Sequence, residues 1–188
     1  EKLAQERPES GEVVLLFQPA EETGEGAQAI LNDSRFEEIR PDYAFALHNL
    51  PGFPLHQVVL RKGTFAAGST GMRLHFTGKT SHSAHPDAGI NPAQALAQLM
   101  HQLPQLPKEI PGFSLLTLIH VELGSLAFGT SAGKGSLSMT LRAYDQKDLD
   151  LLIEKAQALA KKIASEERLK LEVEFVEKFA VSHNDQEL

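Results

Sequence analysis

The chain has 188 residues, 41% hydrophobic and 23% charged, with a formal net charge of −7. That length suits one medium domain or two small ones, and the acidic balance argues against a nucleic-acid partner, because phosphate binding needs a basic face. The lack of cysteine excludes a disulfide framework and a thiolate metal site. It fits a reducing compartment, so a cytoplasmic protein is expected. No apolar run approaches the roughly 18 residues of a membrane span, so no membrane partner is expected.

Residues 1–66 read strand, helix, strand. Val13 to Phe17 is a continuous apolar run, as expected of a parallel strand covered on both faces. Gly26 to Asn32 begins a short helical pattern. Tyr43 to Leu47 is a second apolar run, and Val58 to Arg61 a further short strand. This order predicts the βαβ unit of an α/β sheet. Strands of this kind, lacking covered neighbours, would expose apolar surface or bury it against another copy.

Residues 67–180 have a different rhythm. From Gly71 to Gly78, Met72, Leu74 and Phe76 alternate with Arg73, His75 and Thr77, which predicts a half-buried strand. Asn91-Pro92 opens a helix, with Asn as N-cap and Pro at the first helical position. Leu115 to Leu123 predicts a strand, and Leu137, Met139, Leu141 and Ala143 form the inward face of another. Asp145 caps a long helix to about Glu167, and Leu169 to Phe175 alternates again. The order βαββαβ, with strands polar on one side only, predicts an antiparallel sheet carrying both helices on one face, a ferredoxin-like sandwich. Overall the fold class is α+β: a ferredoxin-like domain preceded by a partial α/β segment. Residues 181–188 begin a return to the α/β part.

Two stretches could carry chemistry. Glu21 and Glu22 follow the first apolar run in "QPAEETGEGA", and His48 and Asn49 follow the second. In an open α/β sheet, ligands gather at the carboxyl ends of the strands. A carboxylate and an imidazole converging there suit zinc, manganese, cobalt or nickel. Adjacent residues in extended chain point different ways, so one Glu could bind metal while the other takes a proton from water. The same residues also fit a solvated loop and a hydrogen-bonded structural His. The "TGEGA" glycines match no P-loop or dinucleotide spacing. The second stretch is "GKTSHSAHPDAGINP", where His82 and His85 lie on a loop between strand and helix. A His on a scaffolded loop could donate to an oxyanion, or simply be exposed.

"QPAEETGEGA", "HNLPG" and "GKTSHSAHP" in this order resemble the aminoacylase/carboxypeptidase family of metal-dependent amidohydrolases, in its N-acyl-amino-acid amidohydrolase branch. The resemblance runs from about Val13 to Asp185. It implies a catalytic α/β domain interrupted by a ferredoxin-like lid that also dimerises, and hydrolysis of an N-acyl amino acid. It implies Glu21 as general base, Glu22 and His48 as metal ligands, and His82 as the lid histidine that polarises the scissile carbonyl, reaching the partner's site in a homodimer. Gly78 matches a glycine ending the first lid strand, and His85 takes no role. Family members carry further metal ligands upstream of this stretch and near the C-terminal end. The chain is therefore expected to be an internal fragment with an incomplete zinc shell, inactive by itself. In this branch an Asn sits in the loop before the third lid strand, where this chain has Gly129. Arg142, on the polar face of the third lid strand, could bind a substrate carboxylate or be a solvated sheet residue. The alternative to a catalytic fragment is a dimerisation module with no catalysis of its own. An RNA-binding ferredoxin-like domain fits poorly, given the charge and a single aromatic, Phe76, on the first lid strand.

Overall fold

The computed structural model describes residues 2–185 and 187. They form two compact units that divide between Gln57 and Val58.

The first unit contains α1 (Lys2–Gln5), a 3₁₀ turn at Glu21–Thr23, α2 (Glu25–Asn32) and a second 3₁₀ turn at Ser34–Glu38. Gly24, at φ +73°, turns the chain into α2, a conformation that glycine adopts without a Cβ penalty. Asp33 ends α2 and caps the next turn by accepting from Arg35 N at 2.9 Å. It also accepts from the Arg35 guanidinium, which holds its carboxyl down to about 2. The helix predicted after Gly26 is thus present, but the flanking strands are not. Val13–Phe17 and Tyr43–Leu47 carry no ladder among the described residues, and Phe17 and Leu47 are 87% and 95% exposed. The reason is that an apolar run becomes a parallel strand only beside others that accept its hydrogen bonds and cover both faces.

The second unit contains the ferredoxin-like sandwich. Its strands are β1 (Gly63–Ala66), β2 (Gly68–Thr77), β3 (Ser81–His82), β4 (Ser114–Leu123), β5 (Thr130–Ser131), β6 (Lys134–Ala143), β7 (Lys170–Phe179) and β8 (Ser182–Asn184). Its helices are α3 (Ala93–Gln102) and α4 (Gln146–Glu166). The main sheet has the order β4-β6-β2-β7, antiparallel throughout. Met72, Leu74 and Phe76 of β2 pair with Met139, Leu137 and Gly135 of β6, so their side chains share one face. That face is sealed by Leu96 and Leu99 of α3 and by Leu149, Leu152, Ala156, Ala160 and Ile163 of α4. Each such leucine removed from water contributes roughly 1.5–3 kcal/mol. The opposite face carries the polar partners, with Arg73 opposite Glu174 and His75 opposite Glu172.

The predicted capping bonds form, with Pro92 rather than Asn91 at the N-cap position of α3. Asn91 Oδ1 accepts from Ala93 N at 2.9 Å, and Asp145 Oδ1 accepts from Lys147 N at 2.7 Å. Two features depart from the sequence pattern. A bulge between Leu118 and His120 leaves Ile119 without a partner and 62% exposed. Leu116 and Leu118 before it pack against the core, whereas Val121 and Leu123 after it are exposed. The strand expected at Val58–Arg61 instead begins at Gly63, because its ladder partner is β8. Gly63 pairs with Asn184, whose side chain donates to the Arg61 carbonyl at 2.8 Å.

Candidate active site

His82 sits on the two-residue strand β3, opposite Thr130 of β5, with Ser81 opposite Ser131. The loop that carries it is closed at its base, where Lys79 and Ile90 exchange backbone hydrogen bonds of 2.9 and 2.8 Å. Ser83 N donates to the Gly129 carbonyl at 3.0 Å and His85 N to the His82 carbonyl at 2.8 Å. The backbone of this exposed loop is therefore held by regular bonds on both sides. Gly78 N donates to the Gly133 carbonyl at 2.8 Å, and a Cβ at Gly78 would collide with the Ile90 carbonyl. This explains why glycine follows the first long strand.

The imidazole of His82 has a defined polarity. Ala84 N donates to His82 Nδ1 at 3.1 Å. Nδ1 must then carry its lone pair, so the neutral ring holds its proton on Nε2. An exposed Nε2–H can donate to a developing oxyanion. His85 lies nearby, with ring centroids 6.1 Å apart, and accepts no further role from this geometry.

Glu21 and Glu22 open the 3₁₀ turn of the first unit and are exposed. His48 is exposed too, and its Nδ1 is 2.8 Å from the Asn49 carbonyl. A carbonyl only accepts, so Nδ1 carries the proton and Nε2 keeps a free lone pair. Metal-binding histidines are commonly oriented by such a bond. The donor types thus suit a divalent ion, but their number does not, since a catalytic zinc takes three protein ligands. Among the described residues no group of three or more His, Asp or Glu side chains could hold a metal. Glu22 and His48 do not form a complete metal centre.

Arg142 is exposed on the polar face of β6, opposite Ser69 and Leu115. It lies eight residues beyond Lys134, about 26 Å along an extended strand, whereas β5 and His82 lie at the Lys134 end. One small substrate cannot touch both within a single chain. Sequence reasoning recognised Asn91 as a cap but missed its second bond, from Nδ2 to Ser131 Oγ at 3.1 Å. The partners are 40 positions apart, beyond the reach of any local signal.

Residues 66–168, more than half the chain, match the family model described as the peptidase dimerisation domain of the M20 type. The chain belongs to this family. The matched residues of the M20 dimerisation domain run from the end of β1 through α4 and include His82 and Arg142. Glu21, Glu22 and His48 precede them. An uncharacterised hydrolase of Staphylococcus saprophyticus is 30% identical over 94% of this chain and 46% of its own length. An N-acetyldiaminopimelate deacetylase of Exiguobacterium sibiricum is 28% identical over 96% of this chain and 50% of its own. The chain thus spans about half the length of the curated relatives it matches. Among solved structures, a hydantoinase/carbamoylase-family amidase from Burkholderia vietnamiensis shares the fold, with a TM-score of 0.59 and 15% identity over 66% of this chain and 30% of that one.

Proposed function

We propose that this chain is part of a metal-dependent amidohydrolase that cleaves the amide bond of N-acyl amino acids. The observation that carries the reading is the bond from Ala84 N to His82 Nδ1, which leaves an exposed Nε2–H as oxyanion donor. The deacetylase name of one relative supports the substrate class. In this reading, Glu21 takes the proton of the attacking water and later delivers it to the leaving amine. His82 stabilises the negative charge on the former carbonyl oxygen. A divalent ion, zinc before manganese, cobalt or nickel, supplies Lewis acidity when bound. Glu22 and His48 would be two of its ligands, with the remainder supplied from outside this chain. Residues 1–66 belong to the catalytic domain, 67–180 to the lid, and 181–188 to the return into the catalytic domain. The protein is cytoplasmic.

The test uses a full-length protein containing this chain. Glu21→Gln and His82→Ala should each lower kcat for an N-acetyl amino acid by roughly 10²–10³-fold. Wild-type rates in both variants would defeat the reading.

A second reading, a dimerisation module without catalysis, is favoured by the sheet edge. β4 is an edge strand whose Leu115, Ile119, Val121 and Leu123 are all exposed, and such edges pair across two-fold axes. Both readings predict a homodimer through the lid. In a dimer, Arg142 and His82 of one chain would serve different substrate molecules, Arg142 binding a carboxylate. A clean monomer by sedimentation would remove the dimer from both.

A further inference from the structure

We infer that Asn91 is a positioning residue for His82, acting through Ser131. This rests on the reading of His82 as the oxyanion donor. β3 and β5 contribute two residues each, so their ladder is too short to be rigid by itself. Backbone bonds at Gly78–Gly133 and Lys79–Ile90 hold its base, and Asn91 adds a side-chain tie with both ends of one amide. Its Oδ1 accepts from Ala93 N at 2.9 Å, capping α3, whose Leu96 and Leu99 are in the core. Its Nδ2 donates to Ser131 Oγ at 3.1 Å. Ser131 lies opposite Ser81, and the next pair is Thr130 with His82.

The connection therefore runs from the buried helix, through one amide and one hydroxyl, to the strand pair that presents the imidazole. The space around it is tight. A Cβ on Gly89 would meet Ser81 Oγ at 2.7 Å and the Lys79 carbonyl at 2.8 Å. Gly89 thus packs closely on Ser81 from one side, while Ser131 pairs with it from the β5 side. The link orients the ring without touching it, and its loss should loosen the Ala84–His82 bond that selects the Nε2–H tautomer.

The chemistry of Asn91 suggests its own rescue. An Asp at this position keeps the capping oxygen and can accept from the Ser131 hydroxyl, so the tie survives with its donor reversed. The experiment is long-range ¹H–¹⁵N NMR of the His82 ring in this chain, for wild type, Ser131→Ala, Asn91→Ala, Asn91→Asp and the Asn91→Asp/Ser131→Ala pair. Ser131→Ala leaves the cap in place and reports the link even where Asn91→Ala fails to fold. In Ser131→Ala and the double variant, the Nδ1 and Nε2 signals should move toward the averaged positions of a ring exchanging tautomers. Asn91→Asp alone should keep the wild-type pattern. Unchanged His82 signals in Ser131→Ala would overturn the inference. So would an Asn91→Asp spectrum that differs from wild type as much as the double variant does. These spectra report ring orientation whether or not His82 acts on a substrate, so failure of the link is distinct from failure of the His82→Ala test of activity.

Discussion

Glu174 accepts from Arg73 Nη1 at 2.8 Å across the β2–β7 ladder. The same carboxylate oxygen lies 3.3 Å from His75 Nε2. The hydrogen bond from His75, then the charge of Arg73, holds the Glu174 carboxyl below its ordinary 4.5. Glu172, beside Lys170, is lowered as well. A carboxyl whose pKa is lower folded than unfolded stabilises the fold above the unfolded value, and that stabilisation is lost as pH falls through the folded one. Melting temperature should therefore drop as pH falls below about 4.5, toward the depressed value, and Glu174→Gln should flatten the drop. The pair is solvent-exposed, so the effect is small and weakens with salt. Identical melting profiles in wild type and Glu174→Gln would contradict this.

Gly78 is where backbone crowding is decisive. A Cβ there meets the Ile90 carbonyl and comes within 2.9 Å of Leu169. Gly78→Ala should destabilise the domain by roughly 1–3 kcal/mol, the usual range for forced overpacking. Gly129 is the control, because a Cβ there meets nothing within 4 Å. Denaturant unfolding of the two alanine variants should separate them clearly, and equal stability would refute the steric account.

The apolar run Val13–Phe17 has no ladder partner among the described residues, while β2 and β6 are the two central strands of the sheet. Amide exchange in a dilute solution of this chain should be fast at Val13–Phe17 and slow at Leu74 and Leu137. Protection of Val13–Phe17 in a monomer would show that the run finds a partner after all.

The sandwich was legible because its signals are local and repeated. Met72, Leu74 and Phe76 alternate, α4 repeats its apolar residues at helical spacing, and Asn91 and Asp145 announce helix starts with side chains that bond two residues on. The bulge at Ile119 was not legible, since an apolar residue fits the pattern of a strand whether or not it has a partner. The runs at Val13 and Tyr43 show the converse, because their strand character depends on neighbours that no local pattern supplies.

The site divides in the same way. Residue types at the ends of the two apolar runs suggested Glu21, Glu22 and His48 as one possible metal site, and only the family resemblance joined His82 to them. Which nitrogen of each ring is free is set by local backbone geometry, through the contacts to Ala84 N and the Asn49 carbonyl, which no residue pattern announces. The pairing of β3 with β5, the closure of β1 on β8, and the bond from Asn91 to Ser131 belong to tertiary structure alone. Each joins residues far apart in the chain. Side-chain patterning records burial, whereas hydrogen-bond partners depend on where the packed helices and sheet bring distant segments together.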